Sequence, residues 1–169
     1  MAARADNRGM DYPAHLARQR LTRDGRAVLV RPVRPADEGA LAAFFAALSD
    51  GTRRLRFQRF TSTRIDYDRH MAFVCEADGR IVGDARYVAN PSTRSCELGI
   101  VIADAWHHSG VAQLLMHALT RAAQARGVET MEGLVLAENG DMLDFVRELG
   151  FEAHPSREDA TLVRIVKVL

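Results

Sequence analysis

The fold of this chain is decided by residues 97–126, which read ELGIVIADAWHHSGVAQLLMHALTRAAQAR. The apolar run from Leu98 to Ile102 predicts a strand, and the polar segment from Asp104 to Ser109 predicts a turn. Gly110 then opens a long amphipathic helix. The N–H groups of such a turn point to the same place as the positive end of the helix. The stretch therefore predicts a phosphate cradle, with the carboxylate of Glu97 on the strand that leads into it.

The composition is that of an ordinary globular domain. The chain has 169 residues, of which 47% are hydrophobic and 27% are charged, and this length fits one domain with a sizeable core. The formal net charge is +1, so no nucleic acid is expected as a partner. Cys75 and Cys96 form no CxxC pair, which argues against a disulfide framework or a zinc site. No bound metal is expected, because His107 and His108 have no carboxylate or cysteine at a useful spacing.

The N-terminus carries no targeting signal that the sequence can reveal. Residues Met1 to Asp6 are charged and no apolar segment follows them. No apolar run approaches the length of a transmembrane helix. We therefore expect a cytoplasmic protein without a membrane partner.

The rest of the sequence predicts an alternation of strands and helices around the cradle. Residues 1–25 are polar with little periodicity and are expected to form an N-terminal tail or a lightly docked arm, followed by one domain over residues 26–169. Strands are predicted at 28–33, 71–75, 80–88, 94–103, 131–136, 151–153 and 161–168. Helices are predicted from residue 35 or 37 to about residue 50, and at 52–60, 110–126 and 139–149.

The connections between these elements predict the sheet. Tight turns at Ala77-Asp78-Gly79 and Asn90-Pro91-Ser92 join three strands into an antiparallel meander. The strand that follows the helical crossover should lie parallel to the Glu97 strand. The fold class is therefore α/β (α+β), with a mixed, mostly antiparallel sheet of about six or seven strands, flanking helices and one parallel pair beside the cradle.

The residues of the cradle allow two interpretations. Gly110 lets a ligand approach the backbone closely, and the N–H groups from about His108 to Ala112 lack partners within the helix. These groups could therefore donate to a pyrophosphate. In the other interpretation Ser109 caps the helix and Gly110 only marks the turn. The loop alone leaves both interpretations open.

This arrangement resembles a known family. Residues His107-His108-Ser109-Gly110-Val111-Ala112 are similar to the acyl-CoA loop of the GNAT superfamily of N-acetyltransferases, whose pattern is Gln/Arg-x-x-Gly-x-Gly/Ala. The pair Ala123 and Gly127, and Asn139 followed by Leu149-Gly150-Phe151, match the family's later pattern. The order of the predicted elements matches from Val28 to Leu169. The resemblance implies a GNAT-like fold whose parallel strand pair is splayed.

Within the superfamily the likeness is closest to the transferase domain of bacterial protein-lysine acetyltransferases. The stretches that carry it are Asp24-Gly25-Arg26, Val30–Pro35, Arg53-x-x-Arg56-Phe57, Ile65–Asp68, Cys96-Glu97-Leu98 and Leu136–Asn139 with Met142. The resemblance implies acetyl-CoA as co-substrate and an amine acceptor, either a protein lysine or a small molecule. A homodimer is possible.

The resemblance also implies which residues bind the donor. They are Ile100, Val101, Ile102, His107, His108, Ser109, Gly110, Val111, Ala112, Gln113, Asn139, Met142 and Phe145. His107 stands where the family has Gln or Arg, so a fixed positive charge beside the phosphates is missing. We expect a weaker affinity for the donor, dependent on pH near neutrality.

Glu97 is the candidate general base. Acyl transfer needs a neutral amine, and deprotonating a lysine at neutral pH costs about 4 kcal/mol. A positioned carboxylate provides the route for that proton. On a strand, Glu97 shares a face with the small residues Gly99 and Ala103, which leaves a channel beside it. In the alternative interpretation, Glu97 is a solvated carboxylate paired with Arg94 or with another cation.

No general acid is evident. Many GNAT members place a tyrosine on the last helix to protonate the leaving thiolate, and Val146 stands at that position here. A water could serve instead. Cys96 has the opposite strand parity to Glu97, so we expect Cys75 and Cys96 to be buried packing residues rather than nucleophiles.

The function predicted from the sequence is transfer of an acetyl group from acetyl-CoA to an amine, by direct attack within a ternary complex. A protein lysine is the favoured acceptor. A small amine remains the alternative within enzymes, and a non-catalytic acyl-CoA binding module is the alternative of another class.

Overall fold

The computed structural model of the protein describes residues 11–55 and 65–169. These form one sheet of eight strands in the order β1-β2-β3-β4-β5-β6-β8-β7. The strands are β1 (Arg18–Leu21), β2 (Ala27–Pro32), β3 (His70–Ala77), β4 (Arg80–Asn90), β5 (Ser95–Ile102), β6 (Thr130–Leu136), β7 (Glu152–Pro155) and β8 (Leu162–Val168). The helices are α1 (Glu38–Ala47), α2 (Asp50–Leu55), α3 (Val111–Ala125) and α4 (Gly140–Glu148).

The sheet confirms the predicted fold class. All neighbouring strands are antiparallel except β5 and β6, which run parallel. That pair is joined for only three positions, from Ser95↔Thr130 to Glu97↔Glu132. Beyond Glu97, β5 stays paired with β4 as far as Ile102 and parts from β6. The splay that the resemblance implies is therefore present, and it begins after Glu97.

One strand was not expected from the sequence. The segment 1–25 was interpreted as a tail or an arm, but Arg18–Leu21 forms strand β1 at the edge of the sheet, paired with β2. All four of its residues are exposed, so the sequence has no alternation of polar and apolar residues that would predict a strand here. Residues 1–10 lie outside the described part of the chain.

The second predicted helix is present in the described part of the chain, where it begins two residues earlier than the sequence suggested. It was expected over 52–60, and α2 covers Asp50–Leu55. Its N-terminus is capped by Ser49, whose Oγ accepts the Thr52 N–H at 3.1 Å. The rest of the prediction, including Arg56 and Arg59, lies outside the described residues.

Two apolar clusters sit on the two faces of the sheet. Helix α3 covers one face with Val111, Leu115 and Leu119, all fully buried against β2 to β5. Helix α1 covers the other face, where Leu41 and Phe44 pack on strands β3 to β5. Burial of both faces of one sheet is the layered arrangement that holds α/β domains together. Within the described residues no helix is long and apolar enough to cross a membrane.

Polar contacts tie the ends of elements to the sheet. The guanidinium of Arg31 is buried and bonded to both carboxylate oxygens of Asp37, at 2.7 and 2.8 Å, and to Glu76 at 2.9 Å. At the other end of the sheet, Lys167 Nζ donates to the Leu149 carbonyl at 2.6 Å. Gly150 follows with φ of +85°, which is the left-handed residue that commonly ends a helix.

Candidate active site

The loop between β5 and α3 has the conformation that a cradle needs. A 3-10 turn over Asp104–Trp106 leaves β5, and His108 and Gly110 then take left-handed φ values of +60° and +91°. Gly110 tolerates this φ because it has no Cβ. Because left-handed residues alternate here with residues of negative φ, the chain turns sharply into the N-terminus of α3. The partial positive charge of that helix end favours an anion.

Four backbone N–H groups of the loop have no hydrogen-bond partner among the described residues. They belong to His108, Gly110, Ala112 and Gln113. Three other N–H groups of the loop, two of which the sequence placed in the cradle, are already used. His107 donates to Asp104 O at 3.3 Å, Ser109 to Trp106 O at 3.4 Å, and Val111 to Ser109 Oγ at 3.3 Å. The cradle is therefore narrower than the sequence suggested, and Val111 contributes a buried core side chain rather than a donor.

Ser109 and His107 have structural contacts of their own. The Ser109 side chain is buried and its hydroxyl donates to Trp106 O at 2.6 Å. The same hydroxyl also accepts the Val111 N–H, so Ser109 acts as a cap. A cap at Ser109 is compatible with a cradle formed by the other N–H groups of the loop. His107 is exposed, and its Nε2 lies 3.1 Å from Ile102 O, a carbonyl that can only accept.

The β1–β2 hairpin approaches the cradle, which the sequence did not reveal. Arg23 N donates to Ser109 O at 2.9 Å, and one Nη of Arg23 lies 3.1 Å from Gln113 Oε1. In the same turn, the Arg26 guanidinium lies 3.6 Å from the ring centroid of Trp106. The hairpin thus brings a fixed positive charge to the first turn of α3.

Asp104 links the cradle to the helices on the other face of the sheet. Its carboxylate accepts from the Thr52 hydroxyl, from the Ser49 hydroxyl at 2.7 Å and from the Ser49 N–H at 3.0 Å. These hydrogen bonds, that of Thr52 first, hold the pKa of Asp104 well below its ordinary value. The start of α2 is thereby tied to the beginning of the loop.

A cleft opens where β5 parts from β6. Its cavity volume is about 50 Å³. Gly133 marks its narrow end, because a Cβ there would lie 3.3 Å from the Leu98 carbonyl oxygen. The lining includes the expected residues Ile100, Val101, Asn139 and Met142, and also Asp84, Arg86, Leu98, Gly99, Gly133, Leu134, Val135, Val146 and Ile165.

Helix α4 forms one wall of this cleft. Asn139 caps the helix, because its side-chain Oδ1 accepts the Met142 N–H at 3.2 Å. Val146 is buried and lines the cleft, so the position of the missing tyrosine does face the open strand pair. Phe145 is half-buried against the core and does not line the cleft.

Glu97 stands at the last paired position before the splay. It is partly exposed, and its register neighbours are Val88 on β4 and Glu132 on β6. A Cβ added at Gly99, two positions further on, would meet nothing within 4 Å. Ala103, which the sequence places on the same face, packs against both apolar clusters. The open space beside Glu97 is therefore at Gly99 rather than at Ala103. Arg94, which the sequence offers as an alternative partner of Glu97, forms an ion pair with Glu129 at 2.5 Å.

Comparisons with known proteins agree with this geometry. Residues 38–151 match the family model described as Acetyltransferase (GNAT) family. The chain belongs to the GNAT acetyltransferase family. It is 34% identical to Acetyltransferase PA5475 of Pseudomonas aeruginosa over 154 residues, which cover 83% of each protein.

Solved GNAT structures superpose on the chain. The GNAT domain of PAT from S. lividans has a TM-score of 0.86 at 25% identity, covering 94% of this chain and all of that one. The PaiA N-acetyltransferase from Thermoplasma acidophilum, solved in complex with coenzyme A, has a TM-score of 0.69 at 13% identity. It covers 84% of this chain and 99% of that one, a likeness that concerns the fold alone. As a member of the family, the protein is an N-acetyltransferase that uses an acyl-CoA donor and an amine acceptor.

Within this GNAT domain, Tyr67, Tyr87 and the two cysteines are buried, and none of them lines the cleft. Tyr67 is buried and its hydroxyl donates to Val33 O at 2.7 Å. Burial raises the pKa of Tyr87, and likewise of Cys75 and Cys96, to about 12. These groups therefore stay protonated at neutral pH, and the sulfur atoms remain inert within the core.

A buried ion pair beneath the cleft of the GNAT domain was missed from the sequence. Asp84 and Arg86 are both almost fully buried, and Arg86 Nε donates to Asp84 Oδ1 at 2.8 Å. Both residues line the cleft. Two opposite charges at i and i+2 in the otherwise apolar run from Ile81 to Val88 are a signal for such a pair, since isolated charges rarely survive burial.

Proposed function

We propose that this GNAT domain transfers an acetyl group from acetyl-CoA to a lysine side chain of a protein, with Glu97 as the general base. The observation that carries the proposal is the position of Glu97. It lies at the last paired residue of β5, next to the open space at Gly99 and to the cleft between β5 and β6. An amine that enters this space meets a carboxylate and the mouth of the cleft together.

The donor would lie along β5 with its diphosphate in the cradle. Beyond Glu97, β5 has no ladder to β6, so its backbone groups on that side are free for the amides of pantetheine. The unpartnered N–H groups at Gly110 and Ala112 and the positive end of α3 suit the diphosphate. Arg23 adds the charge that His107 does not supply.

The reaction is a direct attack of the amine on the thioester. The amine nitrogen forms a bond to the carbonyl carbon while its proton passes to the Glu97 carboxylate, directly or through one water. The carbon–sulfur bond then breaks, and the electron pair leaves on the sulfur of coenzyme A. Because Val146 replaces the usual acid, a water protonates this thiolate, which is a tolerable leaving group with a thiol pKa of about 8.5.

The choice of a protein lysine rests on likeness. The stretches Cys96-Glu97-Leu98 and Val30–Pro35 resemble bacterial protein-lysine acetyltransferases, and the GNAT domain of S. lividans PAT is similar over 94% of the chain. A glutamate at the position of Glu97 serves as base in the transferases that this chain resembles.

The test is a thiol-release assay with acetyl-CoA and three acceptor classes: lysine peptides, polyamines and free amino acids. We expect the lysine peptides to have the highest kcat/KM. Glu97→Gln should lower kcat about 100-fold or more while leaving the Kd for acetyl-CoA unchanged, because it removes the base and no phosphate contact. Faster turnover of a polyamine would reject the lysine acceptor, and near-normal turnover of Glu97→Gln would reject the base.

The matched control is Glu132→Gln. Glu132 is the register neighbour of Glu97, and its carboxylate is bonded to the Arg164 guanidinium. Its removal should change kcat less than about threefold, since an ion pair that is partly exposed contributes little. An equal loss of kcat in both variants would mean that the local charge, rather than a base at position 97, matters.

A further inference from the structure

A second concave site lies on the far side of α3 from the cleft. It is a groove between α3 and the N-terminal segment, with a cavity volume of about 350 Å³. We name it the arginine groove. Its residues are His15, Leu16, Arg18, Arg20, Val30, Phe73, Leu114, His117, Ala118, Arg121, Ala122, Ala125 and Arg126. None of them lines the cleft or belongs to the cradle.

The arginine groove has positive charge on both walls. Arg18 and Arg20 come from β1, and Arg121 and Arg126 come from α3 or its end. Within the described residues, no carboxylate lines the groove and none pairs with these four arginines. Arg18, Arg20 and Arg126 donate only to backbone carbonyls among the described residues, as Arg18 to Ala17 O at 2.8 Å and Arg126 to Tyr67 O at 2.8 Å.

This contrasts with seven of the other described arginines. Seven described arginines form ion pairs with Asp or Glu: Arg26, Arg31, Arg53, Arg86, Arg94, Arg147 and Arg164. Four cations that share one concavity without a counter-charge repel one another, and a bound anion relieves that repulsion.

The floor of the arginine groove is aliphatic. Leu16, Leu114 and Ala118 are partly exposed there, whereas the aromatic ring of Phe73 is almost completely buried. Apart from the imidazoles of His15 and His117, no aromatic ring is offered for stacking among the described lining residues. The volume lies in the range of about 300–1,000 Å³ that is typical of small-molecule sites.

We propose that the arginine groove binds a small organic phosphate with an aliphatic body. A phosphate dianion has three strong acceptor oxygens and enough charge to engage guanidinium groups from both walls, which a single carboxylate lacks. The alkyl part covers Leu16, Leu114 and Ala118. This site is separate from the donor site, so it goes beyond the proposed acetyl transfer and does not depend on it.

The test is a calorimetric titration of the protein that has first been saturated with coenzyme A, so that the cradle is filled. We expect hexyl phosphate to bind at one site per chain. Hexanol, which lacks the phosphate, and inorganic phosphate, which lacks the alkyl chain, should each bind at least about tenfold more weakly. No binding of hexyl phosphate at low salt overturns the proposal. Tighter binding of AMP than of hexyl phosphate would reject the proposal that the ligand has an aliphatic body.

Two variants and a control assign the binding to the arginine groove. The double variant Arg18→Gln/Arg121→Gln removes one charge from each wall and should weaken hexyl phosphate about tenfold or more. His117→Glu places a carboxylate among the arginines, four residues before Arg121 on α3, where it supports the helix. It should also weaken binding, and it decides the question if the double variant does not fold.

The matched control is Arg80→Gln, an exposed arginine at the β3–β4 turn. It should bind hexyl phosphate like the unmodified protein, and all variants should keep their affinity for coenzyme A. Unchanged binding in both groove variants, or an equal loss in Arg80→Gln, overturns the proposal, since either result would mean that overall charge rather than this site holds the phosphate.

Discussion

The guanidinium of Arg23 reaches the first turn of α3 from a hairpin far away in the sequence. Its Nη lies 3.1 Å from Gln113 Oε1, and a Cβ at Gly110 would lie 3.5 Å from its backbone nitrogen. A cation beside the positive end of a helix is unfavourable without an anion. We therefore place Arg23 in the proposed donor site, where it takes over the charge that is absent at His107.

Arg23→Gln should raise the Kd for acetyl-CoA about three- to tenfold, because one solvent-accessible charge near the diphosphate is lost. The affinity should also depend less steeply on salt concentration. Both are read from titrations at two ionic strengths. An unchanged Kd at both salt concentrations contradicts the assignment, and Arg80→Gln serves as the variant with the same charge change elsewhere.

At the scale of single residues, the sequence revealed those in regular patterns and missed those that depend on tertiary contacts. Asn139 and Gly110 could be assigned because caps and left-handed turns have a local chemical cause. Arg23 lies in a turn whose proximity to Ser109 has no local signal. The use of the Val111 N–H by Ser109 could not be foreseen either, since it depends on how the Ser109 side chain turns inward.

Two glycines on neighbouring strands show how the elements set the site. Helix α3 presses on β4 at Gly83, where an added Cβ would lie 2.8 Å from Leu115 Cδ1 and 3.1 Å from Val111 Cγ1. Gly99 on β5 faces open space. The first glycine thus holds the helix close to the sheet, and the second keeps room beside Glu97.

Gly83→Ala should lower the free energy of unfolding by about 1–3 kcal/mol, because the helix or its side chains must move. Gly99→Ala should leave stability unchanged or raise it by up to about 1 kcal/mol. It should nevertheless lower kcat/KM for the acceptor about tenfold or more, since a methyl group enters the proposed path of the amine. Denaturant unfolding measures the free energy of unfolding of each variant, and steady-state kinetics measure kcat/KM for the acceptor.

The reverse pattern would contradict this reading of the two glycines. A stable Gly83→Ala would mean that α3 adjusts at no cost. Unchanged acceptor kinetics in Gly99→Ala would mean that the amine approaches from another side.

The parallel pair of β5 and β6 followed from the order of the elements, because a helical crossover joins them. The residue at which they separate did not follow from pattern alone. In the structure the separation begins after Glu97, where Gly133 of β6 still lies close to the Leu98 carbonyl at the narrow end of the cleft. Strand β1 was missed because its four exposed residues have no alternation.

Across the whole molecule, acid stability depends on the buried cluster of Arg31, Asp37 and Glu76. Burial alone would raise the pKa of Asp37, but the Arg31 guanidinium and the Arg34 N–H together lower it below its ordinary value. A carboxylate whose pKa is lowered in the folded state stabilises the protein above its unfolded pKa of about 3.9. This stabilisation is lost as the pH falls through the folded pKa.

We therefore expect the free energy of unfolding to decrease steeply below about pH 4. Asp37→Asn should lose about 2–4 kcal/mol at pH 7, because it leaves the buried Arg31 with only Glu76, and its stability should vary less with pH below 4. Urea unfolding at pH 7, 5, 4 and 3 measures this. Asp144→Asn, which removes an exposed partner of Arg147, should change little, and a similar loss in both variants would contradict the role of the cluster.

The chain contains one lysine only, Lys167, and its ammonium group is bonded to the end of α4. Nearly all of its basic residues are arginines, which an acetyl donor does not modify under mild conditions because they stay charged. Within this sequence, self-acetylation on lysine is therefore confined to a single side chain. In an immunoblot for acetyl-lysine, the enzyme can therefore contribute at most one site, and a strong band at the mass of another protein reports an acceptor.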